Sequence, residues 1–237
     1  MTTPPRLSVR GLRVAFGGLT ALDGVDFDVH DGETVALIGP NGAGKTTAFN
    51  AVCGLVKPRN GTVRIAGRPA PARPTGLLKA GVARTLQGLG LFEHLTVLEN
   101  VLVPLTSLRD PDADAKARTA LDDLGLTAHA DRPAGTLPYP ERKRTALARA
   151  LATGPRLLLL DEPAGGLGPA DIDALAETIE RLDCAVLVVE HHVDFVMRVA
   201  DRVVVLDFGR VIAAGAPEAV QGDPAVEAAY LGLEAAA

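Results

Sequence analysis

The chain of 237 residues is 47% hydrophobic and 22% charged, and its formal net charge is −5 at pH 7. This length and mixed composition predict one folded α/β domain and exclude a disordered chain. The acidic balance argues against a nucleic-acid-binding protein, and the longest apolar runs are much shorter than the roughly 20 residues that a membrane-spanning helix requires.

Neither the first residues nor the cysteines indicate an exported protein. Residues 1–6 lack the apolar region of a signal peptide. Cys53 and Cys184 fit no metal-binding or redox spacing, so we expect two small core residues in a reducing cytosol.

Short apolar segments and glycine turns mark the first elements along the chain. Residues 9–18 are typical of an antiparallel hairpin, and residues 33–39 predict a buried strand that ends in a glycine turn. Residues 45–55 predict the helix that this strand feeds. The segment from about 89 to 153 has no strong strand but contains helical stretches such as 112–126, so we expect a helical lobe inserted into the sheet domain.

The second half of the chain predicts a parallel sheet. Residues 155–163 and 184–191 are typical of buried strands, and residues 169–182 between them of an amphipathic helix. The order strand, helix, strand implies parallel strands joined by right-handed crossovers. Residues 202–215 instead predict an antiparallel hairpin that turns at 207–209.

The sequence GPNGAGKTT at residues 39–47 matches the phosphate-loop pattern and stands between a predicted strand and a predicted helix. Its glycines let backbone N–H groups converge on a β-phosphate at the positive end of the helix. Lys45 would add a charge for the β- and γ-phosphates, and Thr46 would offer a hydroxyl to Mg²⁺. The predicted nucleotide-binding residues here are Gly39, Pro40, Asn41, Gly42, Ala43, Gly44, Lys45, Thr46 and Thr47.

Two adjacent acids, Asp161 and Glu162, end the apolar run at 157–160 and are expected beside the loop in a parallel sheet. Asp161 can hold Mg²⁺ through water, and Glu162 can act as the general base for an attacking water. Adjacent acids at a strand end could also be a solvated turn or a helix cap, but the intact phosphate loop favours the catalytic interpretation.

These motifs and their order resemble the ATP-binding subunits of ABC transporters over about residues 6–233. In this resemblance Phe16 matches the aromatic that stacks on adenine, Gln87 the sensor of γ-phosphate and Mg²⁺, and His191 the switch histidine. Taken alone, these three could be a strand aromatic, a surface amide and a polar strand end. Segments such as FGGLTAL, LFEHLTVLENVLV, DEPAGGL and EHHVDFVM are similar to the ATP-binding subunits of branched-chain amino acid importers. The signature position holds Leu137, Pro138, Tyr139, Pro140 and Glu141.

The resemblance implies a single α/β domain, a P-loop NTPase with a RecA-like parallel-sheet core, an antiparallel β subdomain, an inserted helical subdomain and a C-terminal helical tail at about 218–237. It implies ATP and Mg²⁺ as ligands. It implies a second ATPase subunit and membrane permease subunits as partners, a solute-binding protein acting indirectly, no nucleic acid, and a peripheral place at the cytoplasmic face of the membrane. The implied catalytic residues are Glu162, His191 and Gln87, and the implied metal ligands are Thr46, Gln87 and Asp161.

The signature departs from that of related importers, which is close to Leu-Ser-Tyr/Gly-Gly-Gln and donates hydrogen bonds to the γ-phosphate bound by the opposite subunit. Pro138 has no hydroxyl, Pro140 has no N–H, and Glu141 adds a carboxylate. Losing one such donor costs about 3 kcal/mol, so we predict a heterodimer whose partner supplies the normal signature. Residues 166–169 also lack the polar side chain usual there. A packing role for the prolines, which suit a first helical turn, remains open.

The sequence therefore predicts the ATP-hydrolysing subunit of an importer for branched-chain amino acids or a related small polar solute. The alternatives are a nucleotide-binding regulatory subunit with weak turnover and the ATPase subunit of a lipid or lipopolysaccharide exporter. A soluble ABC ATPase acting on DNA or ribosomes is disfavoured by the acidic charge and by the absence of long coiled-coil insertions. The solute rests on resemblance alone, because an ATPase subunit does not touch it.

Overall fold

The computed structural model describes residues 4–86 and 88–234, which form two β-sheets with helices packed on them. Within these two ranges, no helix is long and apolar enough to cross a membrane. The strands are β1 (Leu7–Phe16), β2 (Leu19–Val29), β3 (Thr34–Ile38), β4 (Asn60–Ile65), β5 (Arg68–Pro69), β6 (Val82–Arg84), β7 (Leu157–Asp161), β8 (Ala185–Val189), β9 (Arg202–Asp207) and β10 (Arg210–Gly215). The α-helices are α1 (Lys45–Val52), α2 (Val97–Leu108), α3 (Ala113–Asp123), α4 (Tyr139–Leu151), α5 (Pro169–Glu180), α6 (Val193–Val199), α7 (Pro217–Gln221) and α8 (Pro224–Glu234).

The larger sheet has the strand order β10-β9-β3-β8-β7-β6, and its neighbouring strands are parallel except for β9 and β10. Its central strands are unbroken apolar runs, which is typical of a sheet covered on both faces. The leucines at 157–160 are all 0% exposed, and burial of each contributes about 2 kcal/mol. The predicted parallel sheet and the hairpin at 202–215 are confirmed. However, β8 separates β7 from β3, so Asp161 is not on the strand next to the phosphate loop.

The smaller sheet is antiparallel and has the order β2-β1-β4-β5. Strands β1 and β2 form the predicted N-terminal hairpin, which closes where Phe16 pairs with Leu19. One hydrophobic cluster joins this sheet to α1 and to the larger sheet, and it includes Leu22, Leu37 and Phe49. The hairpin is therefore packed against the strand and the helix on either side of the phosphate loop.

Along the chain, helices α2, α3 and α4 come after β6 and before β7. These two strands are neighbours in the larger sheet. Helix α2 begins at a capping box, in which the Thr96 hydroxyl and the Glu99 carboxylate each accept a hydrogen bond from the other residue's backbone N–H. These helices occupy the segment where the helical lobe is expected. The limits of that lobe at 89 and 153, and those of the C-terminal tail at 218–237, stay predictions.

Both cysteines are free thiols. Cys53 is fully buried in the cluster that contains α1, as expected of a core residue, whereas Cys184 is only partly buried. Burial raises the pKa of each thiol, which disfavours the reactive thiolate.

Candidate active site

Three parallel strands bring the predicted site together, because their carboxyl ends lie at the same edge of the larger sheet. Strand β3 leads into the loop at 39–44, and β7 ends at Asp161. Strand β8 lies between them, pairs with both, and leads into Glu190 and His191. This edge gathers the phosphate loop, the acidic pair and the predicted switch histidine from distant parts of the chain.

The ammonium of Lys45 closes the phosphate loop. Its Nζ donates to the carbonyl oxygens of Gly39 at 2.6 Å and of Pro40 at 2.9 Å. Burial lowers the pKa of Lys45, and the negative charge of Glu162 opposes that shift. Lys45 and Glu162 are therefore close enough to interact, and phosphate oxygens are stronger acceptors that can replace the loop carbonyls.

Two glycines allow the loop to lie against neighbouring strands. Gly39 has a φ of +147°, and a Cβ atom there would clash with the carbonyl oxygen of Leu206 in β9. Gly44, the N-cap of α1, has a φ of +105°, and a Cβ atom there would lie 2.7 Å from the carbonyl oxygen of Ala21 in β2. A larger residue at either position would push the loop away from the sheets.

The loop leaves its outer side open. Asn41, Gly42 and Thr46 are exposed, and a Cβ atom built on Gly42 would have no neighbour within 4 Å. The first N–H groups of α1 have no carbonyl partner within the helix. Together with the Lys45 ammonium they form the donor set that a polyphosphate requires, so this loop fits a nucleoside triphosphate. Its assignment to ATP stays a prediction.

Asp161 and Glu162 are adjacent but differ in their surroundings. Burial raises the pKa of the Asp161 carboxyl, and the charges of Glu162 and Glu190 raise it further. Glu162 has a left-handed backbone with a φ of +47°, and its N–H donates to the carbonyl oxygen of Val189 at 2.9 Å. Such a conformation is uncommon outside glycine and is concentrated at functional sites. It supports a functional position for Glu162.

Of the three predicted Mg²⁺ ligands, Asp161 and Thr46 are among the residues that the structure describes. Both offer oxygen atoms, which Mg²⁺ prefers, and this ion commonly takes its other ligands from water and substrate phosphates. Among the described residues, no group of three or more His, Cys, Asp or Glu side chains could hold a metal by itself. The two residues fit an ion that a triphosphate completes. Gln87, the third predicted ligand and a predicted γ-phosphate sensor, lies outside the described residues.

Glu190 is a candidate that the sequence analysis missed. Its side chain is 0% exposed, and its carboxylate accepts a hydrogen bond from the backbone N–H of Ala164 at 2.8 Å. The same carboxylate accepts from the N–H groups of His191 at 2.7 Å and His192 at 3.1 Å. Glu190 therefore joins the turn after the acidic pair to the predicted switch histidine. The signal in the sequence is an acid directly after the apolar run at 185–189, a place that equally suits a solvated strand end.

The two histidines that follow have different environments. The side chain of His191 is 61% exposed, with Nδ1 3.6 Å from Oε2 of Glu190. His192, for which no role is predicted, is the N-cap of α6, and its Nδ1 accepts a hydrogen bond from the N–H of Phe195 at 3.3 Å. His192 is thus a structural cap, and His191 stays the predicted switch residue.

Phe16 ends β1 with 53% of its surface exposed. It belongs to the hairpin whose second strand touches the phosphate loop, where Ala21 lies against Gly44. An exposed aromatic side chain on this hairpin fits stacking on a base, and that assignment stays a prediction.

The signature position lies at the start of α4. Leu137 is buried, Pro138 is the N-cap, and Pro140 falls in the first turn, where its missing N–H costs no helical hydrogen bond. The Glu141 carboxylate accepts a hydrogen bond from the Arg144 guanidinium at 3.1 Å, which partly neutralises its charge. The prolines are thus compatible with the helix, and their effect on an ATP site stays a prediction.

The chain is similar to known proteins in sequence and in fold. A family model described as ABC transporter matches residues 22–165. The high-affinity branched-chain amino acid transport ATP-binding protein BraF of Pseudomonas aeruginosa is 38% identical, and LivG of Escherichia coli K12 is 39% identical, each over 96% of this chain and 98% of the relative. The solved structure of the ADP conformation of an ATP-binding cassette of an ABC transporter has a TM-score of 0.86 at 31% identity, covering 97% of this chain and 100% of that one. A nucleotide-free cassette gives the same TM-score at 30% identity, covering 96% and 99%.

Proposed function

Since the chain belongs to the ABC transporter family of ATP-binding proteins, we propose that it is the ATP-hydrolysing subunit of an importer for branched-chain amino acids or a related small polar solute. The relatives that match it over nearly their whole length are named for branched-chain amino acid transport. The solute class is taken from these relatives, because ATP hydrolysis and solute binding occur on different subunits.

The observation that carries the proposal is that Lys45, Glu162 and His191 follow three parallel strands whose ends share one edge. Lys45 and the start of α1 bind the β- and γ-phosphates. Glu162 accepts a proton from a water molecule as the water oxygen attacks the γ-phosphorus, and the bond to the β-phosphate oxygen breaks to release ADP and phosphate. His191 senses the γ-phosphate together with Gln87.

Thr46, Asp161 and Gln87 would hold Mg²⁺. The bound ion supplies charge neutralisation at the β- and γ-phosphate oxygens. Asp161 also favours a cation at this place, because its carboxyl is partly buried close to the charges of Glu162 and Glu190. A positive ion there would offset the burial and the charge repulsion that raise the pKa of Asp161.

We assign the chain to an asymmetric pair of ATPase subunits. Its own phosphate loop and acidic pair are complete, whereas its signature carries Pro138 and Pro140 in place of hydrogen-bond donors. One site would combine this chain's loop with the partner's signature and hydrolyse ATP, and the other would be weak. The same prolines support a second candidate function, a regulatory subunit that binds ATP but turns it over slowly.

The further partners are membrane permease subunits and, indirectly, a solute-binding protein. Binding to these permeases would hold the chain at the cytoplasmic face of the membrane. The net charge of −5 supports the expectation that nucleic acid is not a partner, because phosphate backbones require a basic surface. Co-purification of the chain with a permease tests this assignment directly. If no permease co-purifies with the chain, the proposed role in an importer is refuted.

Two substitutions separate hydrolysis from binding in the complex reconstituted with its permease and partner. Glu162→Gln keeps the size of the side chain but removes the general base, so ATP affinity should stay within about threefold and hydrolysis should fall by about 10²- to 10⁴-fold. Lys45→Met should abolish ATP binding itself, because it removes the cation of the phosphate loop. Transport driven by ATP should fail in both variants.

The matched control is Glu227→Gln, which changes an exposed glutamate on α8 and should leave binding, hydrolysis and transport unchanged. Unimpaired transport by Glu162→Gln would favour the regulatory subunit. A wild-type chain that binds no adenine nucleotide in the presence of Mg²⁺ would refute both candidate functions.

A further inference from the structure

Helix α4 contacts the turn after the acidic pair through Lys143, a residue outside the predicted motifs. An ammonium group has three N–H donors, and here one turn of backbone receives all of them. The Lys143 Nζ donates to the carbonyl oxygens of Glu162 at 3.0 Å, Pro163 at 2.7 Å and Gly165 at 2.5 Å.

The same turn is also held by an anion. The Glu190 carboxylate accepts the backbone N–H of Ala164, which lies between the carbonyls that Lys143 binds. The charges of Glu190 and Glu162 oppose the lowering of the Lys143 pKa that burial causes. Lys143 and Glu190, which are distant in sequence, therefore both form hydrogen bonds with the backbone of the turn at 162–165.

A second contact comes from the signature itself. The Tyr139 ring packs on Gly166, where a Cβ atom would lie 3.0 Å from the ring's Cε1. The Lys143 Nζ also lies 5.6 Å from the centroid of this ring, within the range of a cation–π interaction. Tyr139 and Lys143 are four residues apart on α4, and therefore on the same face of the helix. We name these two side chains, with residues 162–166, the signature–turn contact.

The turn in this contact carries the predicted general base. Glu162 has the left-handed φ of +47°, and its own carbonyl is one of the three that Lys143 binds. A rotation of the Glu162 backbone would move this carbonyl and would draw Lys143 and the start of α4 with it.

We propose that the signature–turn contact is the link by which nucleotide at this chain's phosphate loop changes the signature segment of the same chain, with Lys143 as its positioning residue. The proposal rests on the proposed function, in which that signature faces the ATP site of the opposite subunit. Each subunit would thereby report its own nucleotide state to the other site. The route runs from Glu162 through its carbonyl to Lys143, and from there along α4 to residues 137–141.

Hydrogen–deuterium exchange on the full chain tests this link without a partner subunit. The wild type, Lys143→Met, Lys143→Arg and Lys116→Met are compared with and without the magnesium complex of a non-hydrolysable ATP analogue. In the wild type we expect slower exchange at residues 39–52 and a change at residues 137–150. Lys143→Met should keep the first response and lose the second. Lys143→Arg should restore at least part of it.

Lys116→Met is the matched control, because Lys116 lies on α3 and pairs with Asp110 at 2.6 Å away from the turn. It should behave as the wild type. A second readout is kinetic: in the reconstituted complex Lys143→Met should lower kcat by about tenfold or more while the Kd for the analogue stays within about twofold.

Three outcomes would overturn the proposal. One is a wild type that responds at 39–52 but not at 137–150. Another is a Lys143→Met variant that keeps the response at 137–150. The third is a Lys143→Met variant that loses both responses together with thermal stability, which would show that Lys143 only supports the fold. Absence of any response at 39–52 in the wild type would instead refute the proposed ATP binding.

Discussion

The Glu190 carboxylate lies 2.8 Å from the backbone nitrogen of Ala164, and this hydrogen bond ties the end of β8 to the turn after β7. The same carboxylate also accepts the N–H groups of His191 and His192. A fully buried charge is costly unless hydrogen-bond donors surround it, and three backbone amides do so here. Glu190 therefore fixes the position of the predicted switch histidine relative to the turn that follows Glu162.

We predict that Glu190→Ala lowers the free energy of unfolding by about 3 kcal/mol, because it leaves one buried and two part-buried backbone amides without their acceptor. Glu190→Gln should cost about half as much, since its amide oxygen can still accept while its NH₂ group faces one of the donors. Urea unfolding measures both values. The exposed control Glu227→Ala should stay within about 0.5 kcal/mol of the wild type, and an equally stable Glu190→Ala would contradict the prediction.

Gly39 offers a test of the loop's backbone. Gly39→Ala should lower the free energy of unfolding by about 3 kcal/mol or more and weaken nucleotide binding, because the added Cβ meets the Leu206 carbonyl oxygen. Gly154→Ala is the control: its φ is also positive, +58°, but a Cβ there has no neighbour within 4 Å. It should cost about 1 kcal/mol. Urea unfolding and titration with a fluorescent ATP analogue compare the two, and equal losses would show that the contact with β9 does not matter.

The loop at 39–47 and the strands around it could be predicted because their signals are local. The apolar runs at 157–160 and 185–189 are short enough to favour buried strands over helices, and a glycine-rich segment between a strand and a helix has few other uses. Once parallel strands are inferred, their carboxyl ends must share an edge. The meeting of the loop and the acidic pair at one edge of the sheet could therefore be predicted from the sequence. The position of β8 between β3 and β7 could not.

Features that depend on tertiary placement could not be predicted. Strand β6 has only three residues and is held in the sheet by its pairing with β7. Strand β4 is exposed along much of its length. Neither strand therefore has a strong apolar pattern in the sequence. Lys143 and Glu190 look like ordinary charged residues in the sequence. Their roles arise because α4 and the residue after β8 both contact the turn at 162–165. Charged residues that are wholly or partly buried acquire partners from elements distant in sequence, which local patterns do not specify.

Stability at acid pH should depend on the ion pair between Glu33 and Arg202, whose Oε1 and Nε are 2.8 Å apart. Burial opposes ionisation of Glu33, but hydrogen bonds from Arg202 and from the His30 N–H outweigh it and hold the pKa of Glu33 below the ordinary value of 4.5. Because the folded pKa is depressed, the contribution to stability is complete above pH 4.5 and is lost as the pH falls through the folded pKa.

We therefore expect the wild type to exceed Glu33→Gln in unfolding free energy by about 1 kcal/mol at neutral pH. The difference should decline as the pH falls below 4.5. Urea unfolding at a series of pH values measures it. A difference that stays constant down to about pH 3 would mean that Glu33 contributes by packing and not by its charge.

The signature prolines make the asymmetric pair testable with the chain alone. Pro138→Ser would supply a hydroxyl, and the serine would stabilise the helix as an N-cap by about 1 kcal/mol. Pro140→Gly would supply an N–H, but glycine would destabilise the helix by about 1 kcal/mol through its low helix propensity. The double variant should therefore fold as stably as the wild type, so a change in activity would come from the site. We expect its ATP hydrolysis to rise by about tenfold or more, because each restored donor can stabilise the γ-phosphate of ATP bound to a second copy of the chain.

The control Pro224→Gly, at the start of α8, should not raise the rate of ATP hydrolysis. If the double variant hydrolyses ATP no faster than the wild type, the prolines serve packing and the chain needs no complementary signature from a different subunit.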